Sequence, residues 1–265
     1  MSQKTGFESW TGRIAALAVA LAATGPAVAQ EGGEEPLVTD RPDFTESADT
    51  VAPGRFQLEG GVTFAEADDV EERSYGELLG RLGLLDWLEL RIGVPSYVEV
   101  EAPGGFDASG WEDASLGVKA KLAPGGGARP AAALIVATTL PTGSEELGGG
   151  DALQPEAVLS LAWDLAPDLG LGTNLGWAYP KDAGDRFHQL FASTALGWSA
   201  TERLGLFAEL FGFSEEGPDG DATLYADGGA TWLLSPDAQL DVRVGTGLSG
   251  TETDWFAGVG FAVRW

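Results

Sequence analysis

The sequence contains no cysteine, only one histidine and few basic residues. Without cysteine, the chain can form neither disulfide bonds nor thiolate metal sites. Asp and Glu number 41 against 15 Lys and Arg, which gives a formal net charge of −26. Such an acidic chain lacks the basic patches that neutralise nucleic-acid phosphates. Nucleic acid is therefore excluded as a partner, and no residue pattern predicts a cofactor.

The first 29 residues have the three parts of a secretory signal peptide. Lys4 and Arg13 supply the basic region, residues 14–23 form a short apolar core, and residues 27–29 (AVA) make a cleavage site. A membrane anchor is the alternative, but the core is far shorter than the ~20 residues that a helix needs to cross a bilayer. The sequence therefore predicts export through the Sec pathway and cleavage after Ala29.

Residues 30–54 are polar and proline-containing, which predicts an extended N-terminal arm. From Arg55 onward, apolar and polar residues alternate with a period of two, which is typical of β-strands. The predicted domains are a signal peptide at 1–29, a periplasmic arm or plug at 30–54 and a β-domain at 55–265. The twelve predicted strands span 55–64, 74–84, 87–94, 112–122, 131–140, 156–165, 168–177, 189–199, 203–213, 222–234, 237–247 and 254–265.

Each predicted strand has one apolar face and one mixed face. In the eleventh strand, Leu240, Val242 and Val244 share the apolar face, while Asp241 and Arg243 share the other. A soluble sandwich would bury the apolar face, whereas a membrane barrel turns it toward lipid and the mixed face toward its lumen. In the barrel interpretation the lumen candidates are Glu59, Glu77, Arg81, Glu89, Arg91, Asp113, Lys119, Lys121, Glu156, Glu209, Asp227, Asp241 and Arg243.

Connection lengths and tryptophan positions favour the barrel. Tight turns alternate with predicted longer loops at 65–73, 95–111, 141–155, 178–188, 214–221 and 248–253, as in barrels with short periplasmic turns. Tryptophans recur near strand ends, where they would form girdles at the lipid interfaces. The girdle candidates are Trp163, Trp177, Trp198, Trp232, Trp255 and Trp265. The predicted fold is an all-β transmembrane antiparallel up-and-down β-barrel of about 12 strands, with outer-membrane lipid around it.

One segment also fits an amphipathic helix. Residues 77–90 (ELLGRLGLLDWLEL) are rich in leucine, which has a high helix propensity. Gly80 and Gly83 weaken that interpretation, and the charged residues share one strand parity. We therefore predict two strands that are joined at Asp86.

The start of the predicted mature chain resembles a known family. Residues 39–47 (TDRPDFTES) and 51–61 (VAPGRFQLEGG) are similar to the opening of the outer-membrane "transporter" family called Putative MetA-pathway of phenol degradation. The resemblance implies an outer-membrane barrel of a Gram-negative bacterium that passes small molecules, aromatic ones included. The C-terminal Val263-Arg264-Trp265 looks like the signal that the barrel-assembly machinery reads, so this machinery is a predicted partner.

Catalytic and metal-binding patterns are scarce. A serine hydrolase site would need His188 beside a serine such as Ser193, as in outer-membrane phospholipases, but the two residues have opposite strand parity. Asp68-Asp69 and residues 219–221 (DGD) contain the oxygen ligands that calcium prefers, yet no EF-hand pattern is present. Solvated loop charge is the better interpretation. The sequence therefore predicts no catalytic residue, no metal site and no enzymatic activity.

The predicted lumen is the most informative region. Barrels of ~8 strands are filled by side chains, whereas 16–18 strands leave an aqueous channel, so twelve indicate either a narrow pore or an ion-paired plug. Asp40, Arg41 and Asp43 of the arm could enter the periplasmic mouth and pair with lumen charges. A loose periplasmic tail is the alternative.

The leading functional hypothesis is passive diffusion of small solutes, hydrophobic or aromatic ones included, across the outer membrane. Acidic loops at the outer mouth would add a weak cation preference that salt screens. The alternatives are a non-conducting structural or surface-interaction barrel and, less favoured, an outer-membrane lipid hydrolase that uses His188.

Overall fold

The computed structural model describes residues 35–147, 152–182, 184–251 and 253–265. The predicted signal peptide, its cleavage site and the first residues of the arm, 30–34, lie outside these ranges. Within them, no helix has the length and the apolar character that crossing a membrane requires. The described residues form a short 3-10 helix (Glu145–Leu147) and the strands β1 (Phe56–Ala67), β2 (Val70–Leu85), β3 (Leu88–Gly93), β4 (Tyr97–Ala102), β5 (Phe106–Trp111), β6 (Ala114–Gly126), β7 (Arg129–Leu140), β8 (Gln154–Ala166), β9 (Leu169–Ala178), β10 (Lys181–Asp182), β11 (Asp185–Arg186), β12 (Gln189–Ser199), β13 (Leu204–Phe213), β14 (Thr223–Ser235), β15 (Ala238–Ser249) and β16 (Thr253–Arg264).

Twelve of the strands close into an antiparallel barrel. β1 pairs with β16 on one side and with β2 on the other, which closes the barrel. The remaining order around the barrel is β3, β6, β7, β8, β9, β12, β13, β14 and β15. The predicted all-β barrel of about 12 strands is therefore confirmed, and residues 77–90 form β2 and β3 rather than a helix.

Two of the predicted long loops consist largely of β-structure. The segment 95–111 contains the β4–β5 hairpin, and β2 pairs with β3 over residues 79–85 but with β4 over residues 71–75. The segment 65–73 contains the end of β1, the start of β2 and a two-residue turn, in which Asp68 and Asp69 have φ values of 48° and 66°. Positive φ at both central positions is the geometry of a type I′ turn, which aspartate tolerates.

Polar and apolar side chains are arranged in the opposite way to a soluble protein. Glu59 and Arg81 are 0% exposed, whereas Val244 and Leu122 are 61% and 59% exposed. A soluble sandwich would bury the aliphatic face and solvate the charges. Exposed aliphatic side chains around a charged interior are instead the pattern of a barrel whose outer face contacts lipid.

Tryptophans lie at both ends of this apolar band. Trp198, Trp232 and Trp265 are exposed at the end with short turns, and Trp255 is exposed at the end with long loops. Trp163 and Trp177 are half-buried. The indole nitrogens of Trp198 and Trp255 donate hydrogen bonds to Asp168 and Glu66, at 3.1 and 2.8 Å. An apolar ring with a hydrogen-bonded polar edge suits a membrane interface. Two further exposed tryptophans at strand ends, not among the predicted girdle residues, are Trp87 and Trp111.

Candidate functional site

The arm runs through the interior of the barrel. At the short-turn end, the Leu37 amide donates to the Pro236 carbonyl at 2.7 Å, and the Gly54 amide donates to the Gly83 carbonyl at 2.8 Å. Both ends of residues 37–54 therefore lie at the same mouth of the barrel. Between them, the chain contacts side chains from opposite walls, and we call this arrangement the seated arm.

Asp40 is the most strongly held group of the arm. Its carboxylate lies within 2.5 Å of Arg91 Nη1, 2.8 Å of Lys119 Nζ and 3.2 Å of Arg81 Nη1. These cations come from β2, β3 and β6, and we call them with Asp40 the Asp40 cluster. Burial alone would raise the pKa of Asp40, but the three positive charges outweigh it and hold this pKa well below its usual range. Asp40 is therefore a buried anion that ties the arm to three strands.

Arg41 pairs with carboxylates of two further wall positions. Its guanidinium donates to Glu77 on β2 and to Asp241 on β15, the latter at 3.3 Å. Gly61 and Gly260 make room for it, because a Cβ atom at either position would overlap the guanidinium. The two glycines thus mark a place where a wall without side chains accepts an arm residue.

Two wall carboxylates complete this ionic layer. Glu59 accepts hydrogen bonds from the backbone amides of Asp40 and Arg41, at 3.0 and 3.1 Å, and from Arg81 at 2.8 Å. Glu89 accepts from Arg81 Nε at 2.9 Å and from the Val51 amide at 2.8 Å. Buried carboxylates and guanidinium groups therefore satisfy one another and the arm backbone, as buried charge requires.

The tip of the arm reaches the opposite wall. The Phe44 amide donates to Glu209 Oε2 at 2.6 Å, and the Thr45 hydroxyl lies 2.7 Å from that of Ser193. The Glu46 amide donates to Asn174 at 2.7 Å. These partners lie on β13, β12 and β9, so the seated arm crosses the whole lumen.

The remaining lumen candidates are placed less uniformly. Lys121 pairs with Asp49 of the arm at 2.6 Å, with both side chains partly exposed. Arg243 donates to the Pro42 carbonyl at 3.2 Å. Asp113 lies between β5 and β6 and accepts hydrogen bonds from the backbone amides of Thr142 and Gly143. It therefore holds a loop rather than facing the arm. Glu156 is half-buried on β8, opposite Ala137 and Ala178.

Sequence reasoning missed an aromatic group inside the barrel. Phe44 of the arm packs among rings from the wall. The wall rings share the strand face of the lumen carboxylates, as Phe211 follows Glu209 by two residues and Tyr225 precedes Asp227 by two. That parity was the available signal. The wall rings are Phe191, Phe211, Phe213, Tyr225 and Phe256.

Asp43 lies beside an acidic part of the wall. Burial raises its pKa well above the usual range, and the carboxylates of Glu209 and Asp227 add to the effect. An aspartate that is protonated in the seated arm and ionised in a released arm favours seating most below its ordinary pKa near 3.8. That contribution is lost as the pH rises through the raised pKa. Asp40 works in the opposite sense, but above pH ~5 it is ionised whether the arm is seated or released.

Release of the arm should therefore increase as the pH rises from the acidic range. Because the chain has no cysteine, Ala48→Cys, at a buried arm position, gives a single thiol whose labelling rate reports release. The ratio to labelling of Ala52→Cys, at an exposed arm position, removes the intrinsic pH dependence of the thiol. We expect this ratio to rise with pH and to flatten when Asp43→Asn is added. An unchanged pH profile in the Asp43→Asn background would exclude Asp43 as the titrating group.

The structure separates the residues of the hydrolase hypothesis. His188 is exposed and accepts a hydrogen bond from the Trp177 indole at 3.1 Å. Ser193 is buried and contacts Thr45 of the arm. The two side chains therefore lie on opposite faces of the wall, and this pair cannot form a nucleophile and base. Across the ranges that the structure covers, no group of three or more carboxylate, histidine or cysteine residues could hold a metal ion.

Comparisons with known proteins agree with the barrel. The family model described as Putative MetA-pathway of phenol degradation matches residues 39–265, whereas comparison with curated proteins found no match. An outer membrane channel from Pseudomonas putida F1 superposes with a TM-score of 0.65 at 15% identity, covering 86% of this chain and all (100%) of that one. The NanC porin superposes with a TM-score of 0.52 at 9% identity, covering 78% and 98% of the two chains. The KdgM porin superposes with a TM-score of 0.50 at 10% identity, covering 78% of this chain and 98% of that one. At these identities, the likeness concerns the fold alone.

Proposed function

We propose that this chain, which belongs to the Putative MetA-pathway of phenol degradation family, is an outer-membrane channel for passive diffusion of small solutes. Hydrophobic and aromatic molecules are the proposed solute class, because aromatic side chains line part of the lumen. The proposal includes export through the Sec pathway of a Gram-negative bacterium and insertion by the barrel-assembly machinery through the C-terminal strand. It assigns no enzymatic activity to the chain.

The observation that carries the proposal is the way in which the lumen is filled. Much of the space between the walls is occupied by residues 37–54, which enter and leave by one mouth. A structural barrel can be filled by the side chains of its own wall. Here glycines at wall positions 61 and 260 instead leave space that an arm residue occupies. A lumen that is filled by a separate segment becomes a pore when that segment moves.

The experiment is single-channel recording from the refolded mature protein, with and without residues 30–53. We expect discrete conductance steps that are several-fold larger or more frequent after the deletion, because the arm no longer occupies the lumen. The reversal potential in a salt gradient should show a weak cation preference that decreases as salt rises, since acidic groups at the mouth are screened within ~10 Å at 0.1 M. A heat-modifiable gel shift must show that both proteins are folded.

The buried Asp40 cluster favours a second candidate, a permanently closed barrel with a structural or surface-interaction role. Its ion pairs link the arm to three strands and are shielded from solvent. Folded protein that is silent in both forms would support this candidate and contradict the channel. Conductance of the deleted form alone would show a pore that the arm keeps shut under the conditions of the recording.

A further inference from the structure

The ring of Phe44 is held in an aromatic cage on the inner wall. It is stacked on Phe211, with a centroid distance of 4.7 Å and an interplanar angle of 13°. Phe191 and Phe213 meet it edge-on, at 5.8 and 5.5 Å and angles of 82° and 80°. One parallel contact and two perpendicular contacts are the favoured geometries of aromatic pairs. We call Phe191, Phe211 and Phe213 the aromatic cage.

The three cage rings belong to the wall, and other wall residues pack against them. Phe211 is stacked on Tyr225 on its other side, at 4.9 Å and 10°, and contacts Phe256 at 6.2 Å. Gly176 opposite Phe191 leaves the space for its ring, because an added Cβ atom would overlap it. Ile135 and Val158 pack behind Phe191. The cage is thus an apolar recess that wall residues support, in a lumen that is otherwise rich in charge.

A polar group borders the recess. Glu209 accepts the Phe44 amide at 2.6 Å with one carboxylate oxygen and the Thr45 hydroxyl with the other. Both donors come from the arm, so Glu209 loses them when the arm leaves. A ligand that enters the recess with a donor of its own can replace a hydrogen bond that the arm gave to Glu209. Ser193 likewise loses its contact with Thr45.

We propose that the aromatic cage with Glu209 binds a single-ring aromatic solute that carries a hydrogen-bond donor, and that Phe44 is its built-in competitor. This proposal rests on the proposed channel function. The solute ring takes the place of the Phe44 ring between Phe191, Phe211 and Phe213, and its donor replaces the Phe44 amide at Glu209. Binding of the solute and seating of the arm tip are mutually exclusive, so the solute shifts the arm toward its released form.

The test uses the full mature chain with Phe44→Ala, which removes the competing ring from the cage while the Asp40 cluster still holds the base of the arm. The donor of the probe then has to displace only the backbone amide of residue 44 from Glu209. Phenol is the probe, with anisole as the ring without a donor and cyclohexanol as the donor without an aromatic ring. We expect saturable binding of phenol by calorimetry, at least ten-fold tighter to Phe44→Ala than to the unmodified protein. Anisole and cyclohexanol should each bind at least ten-fold more weakly than phenol. Phe44→Leu serves as a second variant with the same expectation if the alanine variant does not fold.

Two controls separate the cage from nonspecific uptake. Leu37→Ala also removes a buried arm side chain, but at the short-turn mouth, and it should bind phenol no better than the unmodified protein. Adding Phe211→Leu to Phe44→Ala should abolish the phenol response. Equal phenol binding by Leu37→Ala, or an unchanged response after Phe211→Leu, would overturn the proposal.

The outcome can be distinguished from failure of the channel function. Conducting protein without phenol-specific binding overturns the cage alone. Specific binding in a protein that never conducts supports the cage and overturns passage through the lumen.

Discussion

Replacing Asp40 with asparagine is expected to release the arm. The substitution keeps the size of the side chain but leaves Arg81, Arg91 and Lys119 around a neutral group in a buried site. Removing one partner of a buried ion pair costs about 3–5 kcal/mol, because the other charges remain desolvated. Since every ~1.4 kcal/mol is a factor of ten, the equilibrium between seated and released arm should shift by at least a hundredfold. Labelling of Ala48→Cys should accelerate accordingly, and the single-channel open fraction should rise.

The matched control is Asp49→Asn in the same arm. Asp49 pairs with Lys121 at 2.6 Å, but both side chains are partly exposed, and ion pairs in contact with water contribute about 0–1 kcal/mol. We therefore expect little change in labelling or conductance. If Asp40→Asn behaves like Asp49→Asn, the Asp40 cluster does not hold the arm, and the contacts of Thr45, Glu46 and Val51 must do so.

An arginine on the outer face should destabilise the barrel according to its depth in the bilayer. Val259 and Leu248 are equally exposed, at 52% each, but Val259 lies in the middle of β16 and Leu248 near the long-loop end of β15. An arginine at the bilayer midplane costs about 2–4 kcal/mol, and one near the interface about 0–1 kcal/mol. Val259→Arg should therefore lower the free energy of unfolding in phospholipid vesicles by about 1–4 kcal/mol more than Leu248→Arg.

Urea titration of both variants in the same vesicles measures this difference. Equal exposure removes burial in the protein as an explanation, so only the depth in the lipid distinguishes the two positions. Equal and small effects of the two substitutions would contradict a lipid-facing outer wall. They would support water around these strands instead.

The sequence was sufficient for the parts of the fold that repeat. The two faces of a strand are identified by alternation, as where Leu240, Val242 and Val244 alternate with Asp241 and Arg243. Turns and loops interrupt this alternation, so counting the alternating segments gives the number of strands. Residues 95–111 were not recognised as a hairpin, because Glu99 and Glu101 lie where a membrane strand would carry apolar residues. Arg73 on β2 forms an ion pair with Glu101 at 2.6 Å. This contact depends on how β2 and β4 are aligned, which the sequence of neither strand shows by itself.

The site was predictable to a smaller extent. The charges of Asp40 and Arg41 predicted pairing inside the mouth, but not their partners, since Lys119 lies 79 residues beyond Asp40. The aromatic cage was not predicted, because its rings lie on different strands and converge only through closure of the barrel. Phe44 itself sits in a segment without periodicity, so no pattern marked it.

The contacts of the arm also fix an order of assembly. Arg41 and its partner Asp241 are 200 residues apart, and the partners of Phe44 and Glu46 lie on β13 and β9. Closing so long a loop costs conformational entropy, and the contacts that offset this cost need the distant strand in place. These contacts therefore form late. Residues 37–54 are therefore among the last segments to reach their final positions. Because both arm ends lie at one mouth, the arm can enter the lumen of a barrel that is already closed. A fully seated arm therefore requires that β15, which carries Asp241, is already in place.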